Sequence, residues 1–324
     1  MIMAKRYLDP KADLTFKRVF GEHKNLLMSL LNSLLPLPEG CPIVEIEYQS
    51  PELVPDVPTK KDSIVDVRCV DSLGRSFAVE MQMYWTTAFK HRALLNTAKA
   101  YTRQLDAGGQ FAKIQPVYTL SFVNDLAFPG DEEFYHRYLP TDSVNPANTI
   151  DGFEMVFIEL PKFANWQKQH GGDASVYSAD GSVTISRHTL NRLAVLWCRF
   201  LTEINEHTLE VDSALLADEE VGTALGIVEQ SAFTDGEMYY YERYWDTVSR
   251  ERTALEEATA RGAARGWEEG LNRGREEGLA AGRAAGRADE KKKLALNLLN
   301  MGMAIETVAQ ATELSIEEIK DLTK

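Results

Sequence analysis

Residues 63–83 carry two stretches of period-two alternation on either side of Asp71-Ser72-Leu73-Gly74-Arg75. Such alternation around a short loop of turn residues containing glycine specifies a β-hairpin. With Val70 opposite Ser76, Arg68 faces Ala78, Asp66 faces Glu80 and Ile64 faces Gln82. Cross-strand partners share a face, with Cβ atoms roughly 5 Å apart. Asp66, Glu80 and Gln82 therefore stand together, while Phe77, Val79 and Met81 point to the other side, into a core. A slip of one residue would move one strand's whole set to the wrong face, so everything read from this hairpin depends on its register.

Two carboxylates in register repel unless something positive lies between them. Ligation by carboxylate oxygens suits Mg²⁺ or Mn²⁺. Such an ion acidifies a water and stabilises a phosphoryl transition state. The competing reading is a pair of solvated side chains on an open sheet face. An Asp and a Glu in register, with an amide two residues on, favour the metal.

Around the hairpin the pattern is α/β. Residues 12–21 read as a short helix and 25–35 as a second, where Leu26/Leu27, Leu30/Leu31 and Leu34/Leu35 recur every four residues. Strands are expected at 44–48, 63–70, 76–83, 116–124 and 153–160. The 116–124 strand is apolar enough to be buried on both faces. A helix from Thr87 to about Asp106 places Ala88, Leu94, Leu95, Ala98 and Tyr101 on one side and stops at Gly108-Gly109. Residues 128–146 read as loop, 173–186 as a polar excursion, and 188–205, 213–230 and 237–260 as helices.

From Gly262 to Gly286 a glycine falls at every fourth residue, with Ala, Arg and Glu between. Each glycine costs a helix about 1 kcal/mol relative to alanine, and close packing on a partner helix would offset that. A half-helical charged linker is the alternative. The last segment, 290–324, reads as three short helices with turns near Met301-Gly302 and at Glu313-Leu314-Ser315. That is a helix-turn-helix pattern. Its final helix, however, sets Glu317, Glu318 and Asp321 against Lys320, the wrong charge for facing phosphates. A capping or oligomerising bundle is expected instead.

The formal net charge of −14 argues against tight nucleic-acid binding by the chain as a whole, although a basic rim can coexist with an acidic body. Three scattered cysteines fit a reducing, cytoplasmic setting rather than a disulfide scaffold or a zinc site. The first 18 residues have no apolar signal region, and no stretch is long enough to span a bilayer, so no membrane association is expected. The six histidines form no HxH or HExxH, and neither a P-loop nor a GxSxG elbow is present. The aromatic cluster Tyr239-Tyr240-Tyr241, Tyr244 and Trp245 reads as packing surface.

Asp13-Leu-Thr-Phe-Lys-Arg-Val-Phe-Gly, Ile64-Val-Asp-Val-Arg-Cys-Val-Asp, Val79-Glu-Met-Gln, Pro116-Val-Tyr and Ile158-Glu-Leu-Pro-Lys-Phe follow one another in this order. Together with the four-residue glycine spacing, they resemble the PD-(D/E)XK nuclease family transposases, also called recombination-promoting (Rpn) nucleases. The resemblance implies a restriction-endonuclease-like core, a mixed sheet flanked by helices, and Mg²⁺-dependent (or Mn²⁺-dependent) hydrolysis of DNA. It makes Asp66 the first metal-binding aspartate and Glu80 the acidic residue of the (D/E)xK element. Gln82 stands where the wider superfamily has lysine. Glutamine can orient a water but lends no charge; Lys60 and Lys61 are candidates to supply it from nearby.

Asp13 is either a third acidic group of the site or the N-cap of the first helix. Arg92, Lys99 and Arg103, spaced seven and four apart, form one helical stripe that can meet DNA phosphates, with Gln104 beside it. A solvated helix face is the alternative for each. The expected organisation is a nuclease core at 1–165, a helical accessory region at 166–250, a glycine-repeat segment at 251–289 and a trihelical module at 290–324. The expected function is a metal-dependent DNA endonuclease serving recombination, transposition or defence, oligomerised through its tail. The rival is a non-cleaving DNA-binding or protein-interaction module on a nuclease fold, working through that tail.

Overall fold

The computed structural model describes residues 6–50, 52–53, 63–105, 110–170, 178, 182–185 and 188–322. Lys60, Lys61, Gly108-Gly109 and most of 173–186 lie outside these residues. Two units are distinct, Met1–Arg250 and Glu251–Lys324.

The first unit begins with α1 (Asp13–Phe16), which continues through a π-helical turn at Lys17–Gly21, and α2 (Lys24–Leu34). Then come β1 (Ile46–Tyr48), β2 (Glu52–Leu53), β3 (Ser63–Ile64), β4 (Val67–Asp71), β5 (Ser76–Gln82) and α3 (Thr87–Thr102). After them follow β6 (Val117–Val123), β7 (Tyr135–Tyr138), β8 (Phe153–Glu159), α4 (Leu160–His170) and the hairpin β9 (Val183–Ile185) and β10 (His188–Leu190). The unit closes with α5 (Arg192–Glu203), α6 (Ser213–Ala217), α7 (Glu219–Ile227) and the start of α8 (Asp235–Asn300).

Six strands form one mixed sheet in the order β1-β4-β5-β6-β8-β7. The β5–β6 and β6–β8 pairs are parallel and the other three antiparallel. One face carries Phe77, Val79, Leu120, Phe122, Val156 and Ile158 into the main core. There they meet Phe16 and Phe20, the leucines of α2, and Trp197 and Phe200 of α5. α5, α6 and α7 thus share a core with the sheet. α3 covers the other face, where Phe89, Ala93, Val123, Ala127 and Phe157 cluster. Every residue of β6 is buried, as its continuous apolar run predicts.

Four expectations are corrected. The strand expected at 63–70 is broken: β3 pairs with β2, and only Val67–Val70 pair with β5. Residues 128–146 contain β7, whose Tyr-His-Arg-Tyr lacks an apolar alternation but gains a ladder from β8. Residues 188–190 are a strand rather than the start of the following helix. α3 buries Phe89, Ala93, Asn96, Thr97 and Ala100, while Leu94 and Leu95 are half exposed. Its inner face is partly polar because the sheet beneath it is partly polar.

The hairpin is pinned at its loop. Asp71 Oδ1 accepts from the N–H groups of Leu73 and Arg75 at 3.0 and 2.8 Å, and Asp71 Oδ2 pairs with Arg75 Nε at 2.7 Å. Arg75 also donates to the Cys41 carbonyl at 2.9 Å. Gly74 supplies the left-handed backbone (φ 82°) that the turn needs.

The second unit holds the rest of α8, with α9 (Ile305–Thr312) and α10 (Ile316–Asp321). The last turns of α8 pack with α9 and α10 around Ala295, Val308 and Ile319. Gly302 (φ 84°) and Glu313 (φ 59°) make the two left-handed turns, and Ser315 and Glu318 form a reciprocal capping box. The glycines of the repeat lie within continuous helix, and a Cβ added at any of them would meet nothing within 4 Å.

Arg75→Ala should cost about 3 kcal/mol, because it leaves the Asp71 carboxylate buried without its cation. The denaturant midpoint measures this. A loss under about 1 kcal/mol would show that the hairpin does not depend on the pair.

Candidate active site

The register fixes the site. Val67 pairs with Val79, Arg68 with Ala78, Cys69 with Phe77 and Val70 with Ser76, the alignment the loop predicts. One step beyond the last pair, Asp66 no longer continues the ladder. Its carboxylate takes over, with Oδ2 accepting from the Met81 N–H at 2.6 Å. The Ile64–Gln82 pairing expected from the sequence is absent, because Ile64 pairs with Glu52 instead.

Glu80 sits mid-sheet between β4 and β6, opposite Ser121 in the parallel ladder, and is 3% exposed. Its side chain lies under α3, where Oε1 accepts from Asn96 Nδ2 at 3.0 Å. Arg92 Nη2, one turn earlier on α3, stands 3.9 Å from Oε2. The same Nη2 donates to Gln82 Oε1 at 2.7 Å, and Gln82 Nε2 donates to the Tyr84 carbonyl at 2.9 Å. Glu80, Gln82 and Arg92 thus form one connected set, and the charge of Asp66 acts on Glu80.

Burial pushes both acids up. Asp66 rises to about 6, chiefly through desolvation, and the nearby Asp13 adds to it. Glu80 rises to about 7 through desolvation and the charge of Asp66. Hydrogen bonds from Met81 and Asn96, and the positive charge of Arg92, pull in the opposite direction without winning.

Asp13 is not a helix cap. Ala12 holds that position, and Asp13 is the first helical residue, paired with Lys17 at 2.7 Å. Its charge still acts on Asp66, as does that of Lys17. On α3, Lys99 is half-buried and Arg103 is the C-cap. Gln104 does not belong with the phosphate contacts, since its amide clamps the backbone of Gln115 at 2.8 and 2.7 Å.

Arg68, on β4, is a half-buried cation that was not among the candidates. It shares strand parity with Asp66, the signal that could have placed it there. Its Nε is buried without a hydrogen-bond partner among the described residues, and the charge of Arg103 acts on it. A second buried cluster was also missed. Glu159, at 0% exposure, accepts from Lys162 Nζ at 2.7 Å, from the Ala127 N–H at 2.7 Å, and stands 2.8 Å from His136 Nε2. Lys162 Nζ also donates to the carbonyls of Phe128 and Glu133. This cluster ties the loop after β6 to the end of β8.

The donor set fits a divalent cation. Two desolvated carboxylates share one place, and beside Glu80 both Asn96 Oδ1 and Ser121 Oγ are buried without hydrogen-bond partners among the described residues. Such orphaned polar atoms mark where water or an ion completes a site. No group of three or more His, Cys, Asp and Glu converges among the described residues. Two carboxylates completed by waters and substrate oxygens is a Mg²⁺ arrangement.

A carboxylate with a raised pKa binds its proton more tightly in the folded chain than in the unfolded one. Stability from such a group falls as pH rises from its ordinary value, 4.5 for Glu80, through about 7. Glu80→Gln keeps the acceptor for Asn96 and removes the charge. In metal-free buffer it should raise thermal stability at pH 8, by about 2 kcal/mol, and leave it unchanged at pH 4.5. An equal effect at both pH values would rule out a charge origin.

A profile described as PD-(D/E)XK nuclease family transposase matches residues 10–258, which takes in the sheet, both carboxylates and α3 and ends before the glycine repeat. No curated protein and no solved structure matches. A mixed sheet flanked by helices, Asp66 and Glu80 on its central hairpin, and a profile match over most of the chain agree: the chain belongs to the PD-(D/E)XK nuclease family transposases.

Proposed function

We propose that this nuclease-family chain is a metal-dependent DNA endonuclease that hydrolyses phosphodiester bonds in recombination, transposition or defence. The observation that carries the reading is the pair Asp66, just before β4, and Glu80 on β5, both desolvated. Each is held by one hydrogen bond, and both lie within reach of a cation from α3. A stability-only role for two such acids is unfavourable, since burying like charges costs free energy.

Asp66 and Glu80 would hold Mg²⁺ or Mn²⁺, which when bound acidifies water and neutralises phosphate charge. The Met81 N–H fixes the Asp66 carboxylate and the Asn96 amide fixes that of Glu80, so neither has to reorganise during reaction. Water would attack phosphorus in line with the leaving oxygen: one P–O bond forms as the other breaks, the water's proton passes to solvent, and the leaving oxygen takes up a proton from solvent. Arg103 and Arg68 meet neighbouring phosphates as local positive charges within an acidic chain. Lys99 belongs to the same stripe. Cytoplasmic residence is consistent with the free cysteines Cys41, Cys69 and Cys198, and no described helix is long and apolar enough to cross a membrane.

The tail is proposed to join copies of the chain, so that two sites address two strands. The support is energetic. Seven glycines sit inside one helix, about 1 kcal/mol each, and no neighbour among the described residues lies where their missing Cβ atoms would be. A chain ended before Gly262 should show a lower mass multiple by light scattering than the full chain. An unchanged multiple would remove the tail from assembly.

Supercoiled plasmid tests the activity. Nicking should require Mg²⁺ or Mn²⁺, stop with chelator, and fall at least about 100-fold in Asp66→Ala and Glu80→Ala. Folded protein that shifts DNA and cuts none would favour a non-cleaving binding module, the reading that Gln82 in the lysine position and the net charge of −14 support. Cutting that survives both substitutions would place the activity elsewhere.

A further inference from the structure

We propose that Arg92, latched by Gln82, supplies the catalytic positive charge that a lysine at position 82 would otherwise bring, and that it does so by contacting the scissile phosphate. The inference rests on the nuclease reading and assigns a role within it.

A glutamine in that position is not a damaged lysine here, because it is fully used. Its Nε2 donates to the Tyr84 carbonyl at 2.9 Å, so the oxygen is the atom left to face Arg92. The reverse amide orientation would turn N–H groups towards a guanidinium and away from an acceptor, losing both contacts. Gln82 Oε1 accepts from Arg92 Nη2 at 2.7 Å, and that nitrogen lies 3.9 Å from Glu80 Oε2. The Arg92 guanidinium carbon also sits 5.0 Å from the ring centre of Phe89, one turn back on α3. Phe89 is 2% exposed, so the platform under the cation is fixed in the core. Three contacts, two from β5 and one from α3 itself, hold a side chain that would otherwise sample many rotamers.

The placement is also the right one for a substrate anion. The Arg92 side chain is 49% exposed while that of Glu80 is 4% exposed, so the guanidinium spans from the buried acid to solvent. An arginine has five N–H donors. Among the described residues Arg92 makes one hydrogen bond and one longer ion pair, which leaves donors for a phosphate. Guanidinium stays charged at any working pH and matches two phosphate oxygens at once, which an ammonium cannot do.

Lys17 is the competing cation among the described residues. It acts on Asp66, but it is paired with Asp13 at 2.7 Å, and its charge is not among those acting on Glu80. Arg92 acts on both acids and is the one that touches Gln82.

Moving the charge back to position 82 tests this. Single-turnover cleavage of a labelled duplex in Mg²⁺ would be measured at saturating protein, with DNA affinity measured separately, for Arg92→Met, Gln82→Lys/Arg92→Met, Arg92→Lys and Lys17→Met. Thermal melts of each variant check folding. Arg92→Met should lose about 100-fold in the saturating rate, with DNA affinity within about threefold and an unchanged melt. Gln82→Lys/Arg92→Met should recover at least about tenfold of that, and Lys17→Met should stay within about threefold of wild type. A Met variant that keeps its saturating rate and loses only affinity would make Arg92 an outer phosphate contact and overturn the proposal. Absence of recovery in the double variant, or a larger loss in Lys17→Met than in Arg92→Met, would overturn it too. A wild-type chain that cuts nothing would overturn the nuclease reading and this assignment with it. A cutting wild type beside a fully active Arg92→Met would overturn this assignment alone.

Discussion

Two carboxylates desolvated under one helix are the constraint that the rest of the nuclease core answers to. Left in water, Asp66 and Glu80 would ionise far below neutral pH. Buried, they are pushed up to about 6 and about 7. Holding them so needs a rigid frame, and the frame is visible residue by residue. The Asp71–Arg75 pair closes the hairpin that aligns the strands. β6, buried along its whole length, backs Glu80 on one side. α3 turns Asn96 and Thr97 inward, where Thr97 Oγ1 meets Thr119 Oγ1 at 2.7 Å in the same polar layer. An apolar inner face on α3 would leave Glu80 with no donor at all.

That trade explains which parts of the molecule are legible from its residues. The hairpin register follows from alternation and loop composition alone, because a one-residue slip would put Phe77 and Val79 in the polar layer and Glu80 in the core. The inner face of α3 is not legible by the same rule. Apolar spacing selects Leu94 and Leu95, yet both are half exposed, and the helix buries an asparagine and a threonine instead. Periodicity locates a core, and here the helix lies over a site. β7 escapes notice for a related reason, since its strand character comes from pairing with β8 rather than from its own side chains. The break at Asp66 is likewise a tertiary event, in which a carboxylate replaces a backbone partner for Met81. Glu159 and Lys162 were legible only as part of the Ile158–Phe163 resemblance. Their task of binding the loop after β6 emerges from contacts far apart in sequence.

The glycine repeat follows a different logic. Four residues advance a helix by about 400°, so successive glycines drift by about 40° around the axis. Seven of them therefore wind around the helix and do not form a straight stripe, and one straight partner could meet only a few at a time. The alanines, arginines and glutamates between them are strong helix formers and carry part of the cost. The module that ends the chain, by contrast, is built from ordinary devices: an apolar cluster, two left-handed turns and a capping box.

The acidic total of the chain is the last point on which global and local readings part. A net charge of −14 governs solubility and long-range repulsion. Recognition of a phosphate acts over a few ångströms and is decided by the charges inside that radius. Around Asp66 and Glu80 the charge that acts on both acids is that of Arg92, while Lys17 is paired with Asp13. Arg68, on β4, has a buried Nε without an acceptor among the described residues, and the charge of Arg103 acts on it. The two acids are poorly satisfied until a cation arrives. The proposed endonuclease reading asks for a ligand that brings both signs, a cation for the two acids and an anion for Arg92, and a metal-bound phosphodiester would be such a ligand.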